Sequence, residues 1–158
     1  FMGIAHIETI DCETDDVLAA YAKAYGGECE VIICSQDSDF FQLITDNVQI
    51  LRYRGDHSVV WDVAYIQEKL CVDPDQYADF KSLTGDPADN IKGADKIGPK
   101  TAAWLLQEFG SLESIISRAE EITKPSVRTS ILQNAERLRN DVEHKFSPLK
   151  NNFPIIIS

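Results

Sequence analysis

The chain has 158 residues, of which 44% are hydrophobic and 26% charged, and its 26 acidic residues against 15 basic ones give a net charge of −11. Those proportions suit one globular domain with room for a small appendage, and they exclude collagen-like, low-complexity and largely disordered chains. No apolar run approaches the ~20 residues that cross a bilayer and no charged-then-apolar leader opens the sequence, so a soluble, non-secreted, cytoplasmic protein is expected.

The first half alternates between two kinds of element. Gly3 to Glu8 is a short, partly apolar run, and Thr14 to Tyr25 carries Val17, Leu18, Tyr21, Ala22 and Tyr25 at three-and-four spacing, a helix that Gly26 and Gly27 end. Cys29 to Ser35 is a continuous apolar run rich in β-branched residues and predicts a buried strand. Ser38 to Thr45 predicts a short helix packing through Phe41 and Ile44, and Val48 to Tyr53 a further strand. Strand, helix, strand, helix, strand is the pattern of a parallel sheet with helices against it. After a hairpin-like stretch from Gly55 to Trp61 only helical periods remain. They cover Asp62–Leu70, Pro74–Leu83, Pro99–Phe109, Leu112–Arg118 and Ser126–Lys145, with a boundary near Asp73 and the helical part packing on the sheet.

Cys12, Cys29, Cys34 and Cys71 form no CxxC pair, and His6, His57 and His144 form no metal-binding spacing. Cys29 and Cys34 stand five residues apart in an expected strand, hence on opposite faces. Reduced thiols are expected, with neither a zinc site nor a disulfide framework.

Three acidic clusters fall at the ends of these elements: Glu13, Asp15 and Asp16 at a helix start, Asp37 and Asp39 just after the expected buried strand, and Asp86 and Asp89 in a Gly-Asp-Pro-Ala-Asp-Asn loop. Any one of them has an ordinary explanation, because acids complement helix dipoles and Asp in turns bonds its own backbone. Together they point further. Loops beyond the carboxyl ends of neighbouring parallel strands meet in one crevice. Seven carboxylates brought there repel and raise one another's pKa unless a cation holds them. With no histidine or cysteine set for zinc, hard oxygen donors select Mg²⁺ or Mn²⁺, and a pair of ions ~3.5–4 Å apart suits phosphodiester hydrolysis. A strongly acidic chain argues against a nucleic-acid partner, yet without those seven residues 19 acids face 15 bases, a balance of −4. Two other readings are weaker. Asp37-Ser38-Asp39 as a haloacid-dehalogenase-type nucleophile leaves Glu13, Asp15 and Asp16 unused, and an EF-hand from Asp86 fails at Ala88 and Ile91.

Ile91 to Leu106 reads IKGADKIGPKTAAWLL. Gly93 and Gly98 flank a short turn, Pro99 fits a first helical turn, and an Ala/Leu-rich helix follows, the pattern of a helix-hairpin-helix. In such a hairpin the free N–H groups at the second helix's start take a phosphate, here with Lys96 and Lys100 beside it, and touch the backbone without reading bases. A tight corner between helices with solvated lysines is the plainer alternative.

In order and spacing, Cys12 to Asp16, Gln36 to Leu43, Leu83 to Asn90 and Gly93 to Ala102 resemble the 5′-nuclease family: the 5′–3′ exonuclease domain of bacterial DNA polymerase I, its stand-alone paralogues and the flap endonucleases. Gly110 to Glu113 and the Phe153-Pro154 tail resemble the end of that domain. The resemblance implies an α/β fold, with a partial PIN-like parallel sheet core over residues 1–72 and a helical helix-hairpin-helix region over 73–158. It implies a DNA partner and metal-dependent cleavage of 5′ flaps and 5′ ends in replication and repair. Carried over by position, Glu13, Asp15, Asp16 and Asp37 would hold the cleavage ion, and Asp39, Asp86 and Asp89 a second one, both Mg²⁺ or Mn²⁺. Gly93, Lys96, Gly98, Lys100 and Thr101 would grip DNA, and backbone carbonyls from Lys96 to Thr101 would hold K⁺ against it.

The sequence departs from the family pattern in two respects. A central strand with a metal-binding Asp and a basic helical gateway have no counterpart upstream of Glu13, which predicts a fragment or truncated member. Its exposed sheet edge would invite self-association or a separate N-terminal segment. Ser38 stands where the family usually has Lys. A non-catalytic DNA-binding module that uses the hairpin alone is the alternative reading.

Overall fold

The structure is a computed structural model, and it describes residues 13–146. The expected run from Gly3 to Glu8, Cys12, His6 and the Phe153-Pro154 tail lie outside that range. Helix α1 (Thr14–Tyr25) starts with Asp15 and Asp16 in its first turn, where the helix dipole favours negative charge, and buries Ala19, Ala20 and Ala22.

Strand β1 (Val31–Cys34) is shorter than the apolar run that predicted it. Cys29 belongs instead to the turn that ends α1, its N–H donating to the Tyr25 carbonyl at 2.9 Å. Nor is the strand buried on both faces: Ile33 is 4% exposed and Ile32 53%. Ile33 faces the helices, and its neighbours on either side face away, as the two-residue period of a strand requires.

Strand β2 (Val48–Arg52) pairs with β1 in parallel, Val31 opposite Val48 and Ile33 opposite Ile50. The link between them was expected to be an ordinary helix over Ser38–Thr45. It is a 3₁₀ turn, Asp39–Leu43, closed by i→i+3 bonds from Phe41 N–H to the Ser38 carbonyl (3.0 Å) and from Ile44 N–H to the Phe41 carbonyl (3.2 Å). Phe41 and Ile44 are buried as the pattern required. Strand β3 (Val59–Trp61) returns antiparallel to β2, so the sheet is mixed and not wholly parallel. The hairpin from Gly55 onward makes that reversal, with Gly55 at φ 59°.

Asp62 caps α2 (Val63–Leu70) by accepting from Tyr65 N–H at 2.7 Å. The helix expected over Pro74–Leu83 divides into a 3₁₀ turn, Pro74–Gln76, and α3 (Tyr77–Thr84), because Asp73 and Gln76 form a capping box around the first turn. Next come α4 (Pro99–Phe109), α5 (Leu112–Ser117), capped by Ser111, and α6 (Pro125–Asp141). The last helix was expected to run unbroken to Lys145, but passes into a π-helical turn at Val142–Phe146. One apolar core runs from Ile33 and Ile50 of the sheet through Leu83, Leu105 and Leu106 to Ile131 and Leu138. Sheet and helices are therefore joined by burial, roughly 1.5–3 kcal/mol for each fully enclosed aliphatic side chain.

Between α3 and α4 the backbone doubles back on itself. Asp86 and Ile91 exchange N–H···O bonds of 2.8 Å in each direction, and Ala94 N–H donates to the Leu83 carbonyl at 2.8 Å. At the neck of this loop Gly85 (φ 82°) and Gly93 (φ 72°) press together, and a Cβ on Gly93 would lie 2.6 Å from Thr84 C and from Gly85 N. Gly98, in contrast, has φ −94° and nothing within 4 Å of where a Cβ would stand. Gly93→Ala is expected to lower unfolding stability by roughly 1–3 kcal/mol, while Gly98→Ala changes it by no more than about 1 kcal/mol, as chemical denaturation would measure.

Candidate active site

Asp37 and Asp39 sit in the loop that leaves the carboxyl end of β1, and four contacts fix that loop. Arg52 of β2 donates to the Gln36 carbonyl at 2.7 Å, and the Gln36 side-chain amide donates to the Tyr53 carbonyl at 2.8 Å. Ser35 Oγ accepts from Asp37 N–H at 3.1 Å, and Asp37 Oδ1 accepts from Asp39 N–H at 2.9 Å. The guanidinium of Arg52 lies 4.9 Å from the centre of the Phe41 ring and 5.7 Å from that of Trp61, so the same residue clamps loop and aromatic core together.

Helix α3 closes over this loop. The rings of Phe41 and Tyr77 meet edge to face at 5.3 Å, and Tyr77 hydrogen-bonds Ser38, the residue between the two aspartates. One turn further along α3, Lys81 extends toward the acids although it is only 8% exposed. Its ammonium is paired with Asp86 Oδ2 and lies 3.9 Å from Asp89 Oδ2 and 5.9 Å from the centre of the Tyr77 ring. Asp86 also fixes its own loop, its Oδ1 accepting from Ala88 N–H at 2.9 Å.

Carboxylates from all three sequence clusters feel one another. Burial first, then Asp37, Glu13 and Asp16, raise the pKa of Asp15. Asp39 is pushed up to about 6, first by burial and then by Asp89 and Asp37, against the opposing pull of Lys81. Burial drives the Tyr77 phenol up to about 12, so it stays protonated. Asp39 Oδ1 is enclosed without a hydrogen-bond partner among the described residues. Acids of the three clusters are thus linked through Asp15, Asp39 and Lys81, yet among the described residues no three His, Cys, Asp or Glu side chains are gathered as ligands of a single ion. Donor chemistry, an unpartnered carboxylate oxygen and mutual repulsion all fit a hard divalent cation.

Sequence reasoning passed over two members of this site, Lys81 and Tyr77. The signal was present, since they stand four apart on one helix face and Lys81 precedes Asp86 by one helical turn and a glycine.

The hairpin residues lie apart from the acids in role. Gly93 is buried at the neck of the loop, its carbonyl accepting from Arg137 of α6 at 2.7 Å. Lys96, at φ 65°, is exposed with Gly98 and Lys100, and Thr101 is half-buried. The Gly98 carbonyl accepts from Thr101 and Ala102 N–H, both at 3.0 Å, and opens α4.

Two family profiles cover the chain: that of the 5′–3′ exonuclease N-terminal resolvase-like domain matches residues 1–71, and that of the 5′–3′ exonuclease C-terminal SAM fold matches residues 72–157. The thermostable DNA polymerase I of Thermus aquaticus is 40% identical over 139 residues, covering 87% of this chain and 16% of the polymerase. A bacteriophage T5 protein co-crystallised with metal ions superposes with a TM-score of 0.75 at 27% identity, over 86% of this chain and 51% of its own. The T5 flap endonuclease in a pseudo-enzyme-product complex with DNA and metal ions gives 0.74 at 26% identity, over 86% and 50%. The chain spans about a sixth of the polymerase and about half of the T5 nuclease. Its motifs, its fold and both profiles agree that it belongs to the 5′–3′ exonuclease family.

Proposed function

We propose that this chain is the part of a divalent-metal-dependent 5′–3′ exonuclease or flap endonuclease domain that carries most of the metal carboxylates and the DNA-gripping hairpin. The observation that supports it best is the convergence of acids from the three clusters, in which Asp37 raises the proton affinity of Asp15, and Asp89 and Asp37 raise that of Asp39. In this reading residues 1–72 form a partial PIN-like core and 73–158 the DNA-holding region. Glu13, Asp15, Asp16 and Asp37 would hold one ion, and Asp39, Asp86 and Asp89 another, with Mg²⁺ or Mn²⁺ the chemistry the oxygen donors favour. When bound, such ions supply Lewis-acid activation of an attacking water and of the leaving oxygen of a phosphodiester.

The protein's own groups orient and charge the site. The Asp37–Asp39 turn fixes two carboxylates relative to β1, and the Asp86–Ile91 ladder fixes two more relative to α3. Lys96 and Lys100 stand beside the start of α4, where backbone N–H groups and the dipole suit a phosphate and no base is read. Carbonyls of the same turn, from Lys96 to Thr101, would hold K⁺ against the DNA backbone.

Replacing Asp37 by Asn is expected to abolish Mn²⁺-dependent cleavage of a 5′-flap duplex, and unchanged cleavage would count against the metal assignment. A chain that binds duplex but cleaves nothing would instead be the DNA-binding module alone. In that binding, Lys96→Glu with Lys100→Glu should weaken affinity and lower the salt-dependence slope by about 2, while the melting temperature stays put. The third expectation concerns acid. Asp39 holds its proton more tightly folded (about 6) than at its ordinary 3.8, so its charge costs stability above pH 6, and the cost fades as pH falls toward 4. In EDTA, Asp39→Asn should melt higher than the parent at pH 7.5 and lose that advantage at pH 4.

A further inference from the structure

Lysine is among the residues least often enclosed, because burying an unpaired ammonium costs far more than any packing its stem gains. Lys81 is nevertheless only 8% exposed, on the inner face of α3, and its ammonium is turned toward acids. Asp86 pairs with it directly, Asp89 stands 3.9 Å away, and Asp39 feels its charge from the β1 loop. Tyr77, a turn earlier, offers its ring face to the same ammonium at 5.9 Å. No other lysine or arginine among the described residues has an ion pair to Asp39, Asp86 or Asp89. Among the described residues Lys81 is therefore the cation that is ion-paired within this group of carboxylates, which comes from two separate loops.

We propose that Lys81 is a resident counter-ion of the second carboxylate group, holding Asp86 and Asp89 in place in the metal-free protein and giving them up when a divalent cation binds. The inference rests on the metal reading above and adds a positioning residue to it. Two consequences follow from charge alone. Lys81 relieves the repulsion among Asp39, Asp86 and Asp89, so the loops reach their folded arrangement before any metal arrives. It also opposes the incoming cation, so affinity at this group is held below what the carboxylates alone would give. A buried pair whose lysine can swing aside thus replaces a preformed, highly charged void.

The test uses the full chain, with Mn²⁺ as the probe and binding read by the paramagnetic resonance signal of the free ion. Lys81→Met is expected to bind Mn²⁺ on the order of tenfold more tightly than the parent. Its melting temperature should be lower in EDTA and recover more on adding Mn²⁺. Lys81→Arg, which keeps the charge, should bind like the parent, a result that a merely space-filling role would not require. A measurement on the parent guards against a variant that fails to fold. Acetylation followed by peptide mass spectrometry should label Lys81 more slowly than Lys96 or Lys100 in EDTA, and severalfold faster once Mn²⁺ is bound. Equal Mn²⁺ affinity of parent and Lys81→Met, or labelling of Lys81 unchanged by bound Mn²⁺, overturns the inference and leaves the metal reading standing. No Mn²⁺ binding by either protein overturns both.

Discussion

Negative charge gathered where β1 and α3 end is the constraint around which this molecule is organised. Like-charged oxygens at close range lose free energy that neither packing nor local turns return, so the chain must supply a cation or hold the acids partly protonated. Both occur: Lys81 neutralises the Asp86 side, and Asp39, which Lys81 reaches only at a distance, keeps a raised pKa of about 6. Asp15 and its neighbours at the start of α1 gain something further from the helix dipole.

Such crowding needs a stiff frame, since flexible loops would simply move apart. Arg52 provides much of it by joining the Gln36 carbonyl to the faces of Phe41 and Trp61. Phe41 in turn meets Tyr77, which carries the constraint into α3, and Ser82 on that helix donates to the buried Leu138 carbonyl of α6 at 2.9 Å. The acidic loops are therefore pinned at both ends by a core that spans the sheet and the helices.

Much of this was legible in the residues. The bounds of α1 and α4 follow from periodicity and from Pro99, and the acidic clusters announced themselves by falling at element ends. What periodicity could not show was exposure: Ile32 and Cys34 looked like core and face outward, because an apolar run does not say whether both faces of a strand are covered. Nor could it separate a 3₁₀ turn at Asp39–Leu43 from an α-helix, which differ in which carbonyl each N–H chooses. The hairpin-like stretch from Gly55 to Trp61 does return a strand, β3, antiparallel to β2. Lys81 was missed for a different reason. A lysine on a helix reads as solvated until a second segment is folded over it.

The neck formed by Gly85 and Gly93 has a consequence for how this part of the chain can vary. The loop that carries Asp86 and Asp89 is closed by two main-chain segments touching where no side chain fits, and Pro87 and Ala88 contribute only backbone groups to it, both residues being exposed. Drift at the loop's tip is thereby uncoupled from the geometry of its acids. The tolerance of the tip is underwritten by two positions outside it that have almost none.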